Sequence, residues 1–175
     1  HKMIKNNIII NNNKISYILN SKSVKGPKAS VVFLCGYKSD KNGAKALFIE
    51  DLRKKVGFEY LRFDYSGHGD SSGKIDDLLI SDWIQESSKI IKDMTNFPII
   101  LIGSSMGGWI AFYLASIINK KILGVIGIAT AVDFTFFLER ELDEKQKKKF
   151  IKTKQLVIRS NYSDTPYIFK KKFIQ

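Results

Sequence analysis

The sequence of 175 residues holds one cysteine, three prolines and two histidines. A single Cys35 excludes an intramolecular disulfide framework and a cysteine-built zinc site. Histidine only at His1 and His68 excludes a histidine-rich metal centre. So few prolines, beside 44% hydrophobic and 26% charged residues, exclude a disordered or collagen-like chain. Arginine is scarce as well, at four against 25 lysines. A protein that reads bases would favour the arginine fork, so no specific nucleic-acid partner is expected. Long apolar runs are missing too. Ile8–Ile10 stands alone before an Asn run, too short for a signal-peptide core. The longest uncharged stretch, near 122–132, is too short to span a bilayer. No membrane span is therefore expected, and the lone thiol suits a cytoplasmic location. Met3, behind His1 and Lys2, reads as the natural start.

The net charge of +12 is a property of the ends. Residues 1–30 carry six lysines and no acid, and residues 145–175 carry ten basic groups against one acid. The centre, 31–144, has 13 basic and 16 acidic residues and is slightly acidic. Basic ends of this kind read as solvated faces or tails. They leave open an electrostatic nucleic-acid or anionic-membrane binder, which a salt titration of binding would reveal.

What is present is an alternation of short apolar runs with helical spacing. Ile8–Ile10 and Ile15–Leu19 flank an Asn cluster and predict a hairpin. Val31–Cys35 is continuously apolar, as a strand buried on both faces requires. Over 43–56, Ala46, Leu47, Ile49, Leu52 and Val56 approach helical spacing and are expected inward. Tyr60–Phe63 predicts a strand, and Gly67, Gly69 and Gly73 a long turn. Ser81 or Asp82 is placed to cap a helix to about Thr95, with Trp83, Ile84, Ile90, Ile91 and Met94 inward. A strand Ile99–Ile102, a helix over about 105–118 and a strand Ile122–Ile128 follow. This order predicts an α/β fold, a mostly parallel sheet with helices on both faces. Residues 1–135 read as the core. Residues 136–175 read as a helical, cap-like segment without a further convincing strand.

The chemistry concentrates in Gly103-Ser104-Ser105-Met106-Gly107. A Gly-x-Ser-x-Gly alone is a weak signal. Here it follows an apolar strand and opens a helix, the context of a nucleophile elbow. Its sharp turn would hold the Ser105 hydroxyl above the sheet and aim the helix N-terminus at developing negative charge. An oxyanion hole needs two N–H donors. The residue after the nucleophile, Met106, and Tyr37, in the loop after the strand ending at Cys35, are the candidates. His68, between Gly67 and Gly69, reads as a loop-shaping residue rather than a general base. Cys35 reads as a buried inert thiol.

These segments together resemble the α/β-hydrolase family, within it the group of mitochondrial palmitoyl-protein thioesterase/mycophenolic acid acyl-glucuronide esterase and its bacterial relatives. FLCGYKSDKNGAKA resembles that group's oxyanion strand and loop. LRFDYSGHGDSSGK, ILIGSSMGGW and VIGIATAVDFT resemble its Asp-Tyr-Ser-Gly segment, its elbow and its next strand, and Trp83 fits the spacing. The resemblance implies a serine esterase or thioesterase. Ser105 would attack an ester or thioester of a small molecule or acylated protein, and no metal or organic cofactor is implied.

A Ser-His-acid mechanism in this fold takes its acid and then its histidine after the serine. No histidine follows Ser105. Asp133, after the strand that follows the elbow helix, occupies a position from which some α/β-hydrolases draw the acid, but the resemblance does not make it the acid here. The chain accordingly reads as C-terminally truncated, lacking the last strands. It is a fragment of a longer enzyme, a truncated product without a base, or a protein in which His68 substitutes. An open sheet edge would favour self-association or a partner there. The alternative function is an inactive remnant or binding protein that keeps the pocket.

Overall fold

The computed structural model describes residues 2–133, 140, 142–158 and 167–170. Strands β1 (Met3–Ile10) and β2 (Asn13–Asn20) form the expected hairpin, longer than its apolar runs alone. Ile10 pairs with Asn13, so Asn11 and Asn12 make a two-residue turn with φ of 49° and 63°. Asparagine tolerates that left-handed backbone, and a turn of this hand matches the strand twist. The Asn run thus encodes the turn.

Next come β3 (Ser30–Leu34), α1 (Ala44–Val56), β4 (Glu59–Phe63), α2 (Ile80–Met94), β5 (Ile99–Ser104), α3 (Met106–Ile117) and β6 (Ile122–Ile128). The six-stranded sheet has the order β1-β2-β4-β3-β5-β6. β2 runs antiparallel to β4, and β4, β3, β5 and β6 are mutually parallel. From β3 the chain crosses one way to β4, and from β5 the other way to β6. Right-handed crossovers then put α1 on one face and α2 and α3 on the other. Every residue of β3 and β4 is buried, which explains the apolar run Val31–Leu34. The charged residues of β4 are buried with partners, Glu59 accepting from the Ser30 hydroxyl at 2.6 Å and Arg62 donating to the Lys41 carbonyl at 2.9 Å.

Two expectations for the helices need correction. In α1 the inward face is Ala46, Ile49, Glu50 and Arg53, while Leu47, Leu52 and Val56 are about half exposed. The charged pair is buried because it has partners. Arg53 Nη2 donates to the Ser21 carbonyl at 2.7 Å, and Glu50 faces both Arg53 and Arg62 at 3.9 Å. Their aliphatic stems fill the interface that apolar spacing had assigned to leucine and valine. In α2, neither Ser81 nor Asp82 is the cap. The helix starts two or three residues earlier, with Leu79 at its N-cap, and the Asp82 carboxylate reaches back to accept the Leu79 N–H at 2.8 Å. Trp83, Ile90 and Ile91 are buried as expected, and Ile84 and Met94 are half-buried.

The region after β6 is also richer than expected. It contains α4 (Glu144–Thr153), begun by Asp143 in a capping box with Gln146. It also contains an antiparallel pair, β7 (Gln155–Ile158) and β8 (Tyr167–Lys170). These strands have four residues each and lysines on their flanks, too little alternation to stand out in a sequence. Leu142, Phe150, Leu156 and Phe169 form a small core of their own. Positions 134–139, where the sequence divides core from cap, lie outside the described residues.

Candidate active site

The connection direction reverses between β3 and β5, and open α/β sheets bind ligands outside the carboxyl ends of the strands at such a point. Ser105 and the Gly36–Tyr37 loop lie at those two strand ends. Ser105 has φ 54° and ψ −120°, a backbone that L-residues rarely adopt, and it separates β5 from α3 in a single residue. Its N–H donates to the Ile128 carbonyl at 2.9 Å. Its own carbonyl accepts from Gly108 at 3.0 Å and Ala131 at 3.2 Å. The elbow is therefore pinned to β6 and its exit loop.

Two glycines make this turn possible. A Cβ on Gly103 would run into the Gly107 carbonyl, and a Cβ on Gly107 into the Leu34 carbonyl. The motif thus lets α3 start directly against the ends of β5 and β3. Met106 is the first residue of α3, where an N–H has no partner within the helix. Its side chain is buried.

The other wall is the loop after β3. A Cβ on Gly36 would lie 3.4 Å from Ser105 Cβ and 3.3 Å from the Ser104 carbonyl oxygen. The Cys35–Tyr37 loop therefore runs beside the serine. The Tyr65 hydroxyl donates to the Cys35 carbonyl at 2.9 Å, and the Ser39 N–H to the Gly36 carbonyl at 3.1 Å. Further along, Lys41 donates to Asp64 twice, from its N–H and from Nζ, at 2.6 Å each. Nζ also reaches Asp70 at 2.6 Å. Burial opposes the Lys41 charge, but the hydrogen bonds to Asp64 and Asp70 outweigh it and raise the pKa. The Cys35 thiol is pushed up by its burial and then by Asp64, which suits an inert core thiol.

His68 lies in a closed aromatic surround. Its ring centroid is 4.9 Å from Trp83, 5.4 Å from Tyr65 and 6.0 Å from Tyr37. Nδ1 faces the Ser66 carbonyl at 3.0 Å, which also accepts from Trp83 Nε1 at 3.0 Å. Burial lowers the His68 pKa, the Ser66 carbonyl and Asp64 opposing it. Among the described residues its Nε2 makes no hydrogen bond. A side chain so enclosed shapes the loop, as its flanking glycines suggest. A Cβ on Gly69 would strike the Asp64 carboxylate, so the turn closes over that group.

Sequence reasoning missed Glu86, which is fully buried. It accepts from the Ser66 N–H at 2.9 Å and from the Ser66 hydroxyl in a short hydrogen bond. Burial raises its pKa, and the Ser66 bonds work against that rise. An acid at a core-facing position of α2 was the available signal. Asp133 is exposed after β6, with φ 50°. Among the described residues no helix is long and apolar enough to cross a membrane.

A family model described as alpha/beta hydrolase fold matches residues 31–165. The mitochondrial palmitoyl-protein thioesterase of Bos taurus is 40% identical over 128 residues, 73% of this chain and 42% of that protein. Its mouse counterpart is 34% identical over 146 residues, 83% of this chain and 49% of that one. The chain thus spans about half the length of the curated relatives it matches. A crystal structure of a hydrolase from Agrobacterium vitis S4 aligns with a TM-score of 0.87 at 30% identity, over 99% of this chain and 70% of that one. Mouse alpha/beta hydrolase domain-containing protein 10 aligns with a TM-score of 0.85 at 27% identity, over 98% of this chain and 68% of that one. The fold expected from strand order, and the resemblance expected from the motifs, are both borne out.

Proposed function

The chain belongs to the alpha/beta hydrolase fold family, and from that premise we propose that it cleaves carboxylic ester or thioester bonds with Ser105 as the nucleophile. Ser105 Oγ adds to the substrate carbonyl, and the Tyr37 and Met106 N–H groups receive the oxyanion. Collapse expels the alcohol or thiol with a proton and leaves an acyl-serine. Water then releases the acid and restores Ser105. The observation that carries this reading is the left-handed φ of 54° at Ser105, between β5 and α3. Strain at one serine, beside a loop that approaches its Cβ, is what a poised nucleophile requires. The relatives named as thioesterases support an acyl-ester substrate, on a small molecule or an acylated protein. A reducing, cytoplasmic setting suits the buried Cys35 thiol.

One observation favours a second reading, an inactive hydrolase-fold protein that keeps the pocket. Among the described residues His68 is the single histidine, and it is enclosed by Trp83, Tyr65 and Tyr37. Hydrolysis of p-nitrophenyl esters and reaction with a fluorophosphonate, each run beside Ser105→Ala, separate the two. Turnover and labelling that vanish in Ser105→Ala support the hydrolase. A folded protein with neither is the inactive one.

A further inference from the structure

The structure contains two apolar cores, one under the six-stranded sheet's helices and one formed by Leu142, Phe150, Leu156 and Phe169. Among the described residues Tyr37 is the side chain that packs against both. On one side its ring centroid lies 6.0 Å from His68 and 6.0 Å from Trp83. On the other it lies 5.1 Å from Phe169, tilted by 31°, and 5.9 Å from Tyr167, nearly edge-on at 68°. Lys38 Nζ stands 5.9 Å from the Tyr37 ring centre and 5.4 Å from that of Tyr167, bridging the same junction. Lys170 of β8 adds an ion pair to Asp77 at 3.2 Å.

The backbone of this residue is the one proposed to donate to the oxyanion. Its N–H follows Gly36, the glycine that sits against Ser105. A ring held from both sides leaves the main chain that carries it little freedom. An oxyanion donor acts only if it is already aimed where charge develops, and a displacement of about 1 Å can cost on the order of 100-fold in rate.

The geometry points to Tyr37 as a positioning residue. Its side chain couples the seating of the β7–β8 pair to the aim of its own N–H. The inference rests on the Ser105 hydrolase reading and extends it: the oxyanion hole is complete only while β8 is docked. The aromatic rings of β8 then contribute to catalysis through Tyr37.

The test places the change on β8, away from the elbow. Phe169→Ala removes the nearest ring and Phe169→Tyr keeps one. With p-nitrophenyl acetate, whose acyl group is a single acetyl, Phe169→Ala should lower kcat at least about tenfold and leave KM within about twofold. Phe169→Tyr should restore most of kcat. Tyr37→Ala should resemble Phe169→Ala and also slow fluorophosphonate labelling. A role confined to binding would move KM, and a role confined to stability would move neither constant in the folded fraction. A folded Phe169→Ala protein with wild-type kcat, or with only KM changed, overturns the inference. A wild-type protein without turnover or labelling sinks the hydrolase reading by itself. The coupling is then read by amide exchange. Tyr37 and Lys38 should exchange at least about tenfold faster in Phe169→Ala, and unchanged exchange overturns the coupling.

Discussion

Lys41 and Asp64 meet twice, through the lysine's backbone N–H and its ammonium, at 2.6 Å each, with Asp64 fully buried. This pair ties the loop before α1 to the loop after β4, so the two loops hold one another. Lys41→Met keeps the backbone N–H donors to Asp64, from residue 41 and from Asp70 at 2.8 Å, but takes away the buried carboxylate's counter-charge. Lys41→Met should therefore destabilise by about 3–5 kcal/mol, read from urea denaturation. Exposed Lys89 and Asp93 also pair, at 2.8 Å. Lys89→Met should change stability by less than about 1 kcal/mol. Equal effects would contradict the ranking by burial.

Ser105 holds a backbone suited to glycine, at φ 54°. Ser105→Gly should raise stability by about 1 kcal/mol or more through relief of strain, while removing the nucleophile. Thermal unfolding beside fluorophosphonate labelling checks both halves. A variant no more stable than wild type would argue that the turn is unstrained.

Gly107 abuts the Leu34 carbonyl so closely that no side chain fits. Gly107→Ala must push α3 off β3. A loss of at least about 2 kcal/mol is expected. Gly124 has open space around its Cα, and Gly124→Ala is the control. It should remain within about 1 kcal/mol of wild type. Chemical denaturation of both variants decides whether the close approach at the elbow is real.

The pH dependence follows from His68. Its folded pKa lies below the ordinary value of 6.5 because burial penalises the charged ring. The unfolded chain thus binds the proton more readily. The His68 contribution to stability is present above 6.5 and is lost as pH falls through the folded pKa. Glu86 has the opposite sign. Burial raises its pKa above 4.5, so its contribution is present below 4.5 and falls as pH rises through the folded value. The His68 contribution should therefore decline on acidification below about 6.5, against the opposite Glu86 contribution. His68→Gln should flatten that slope. An unchanged slope in His68→Gln would assign the decline to other groups.

The central strands were legible because burial on both faces leaves an unbroken apolar run, as in Val31–Leu34. β6 was read to the residue, Ile122–Ile128, though its residues are only partly buried. The elbow was legible because its two glycines answer a steric need between atoms close in sequence and in space. The α1 face was misread because Glu50 and Arg53 find partners on β4 and at Ser21, which spacing along one helix cannot show. The roles of Glu86 and of the Tyr37 ring depend on contacts made by folding, across 20 residues between Ser66 and Glu86 and across most of the chain's length between Tyr37 and Phe169. No local pattern carries these.

The most direct measurement is peptide mapping after reaction with a fluorophosphonate, on the folded wild-type protein. The account predicts one adduct per chain, on Ser105, absent from Ser105→Ala. No adduct on the folded chain, or an adduct on another residue that persists in Ser105→Ala, would contradict it.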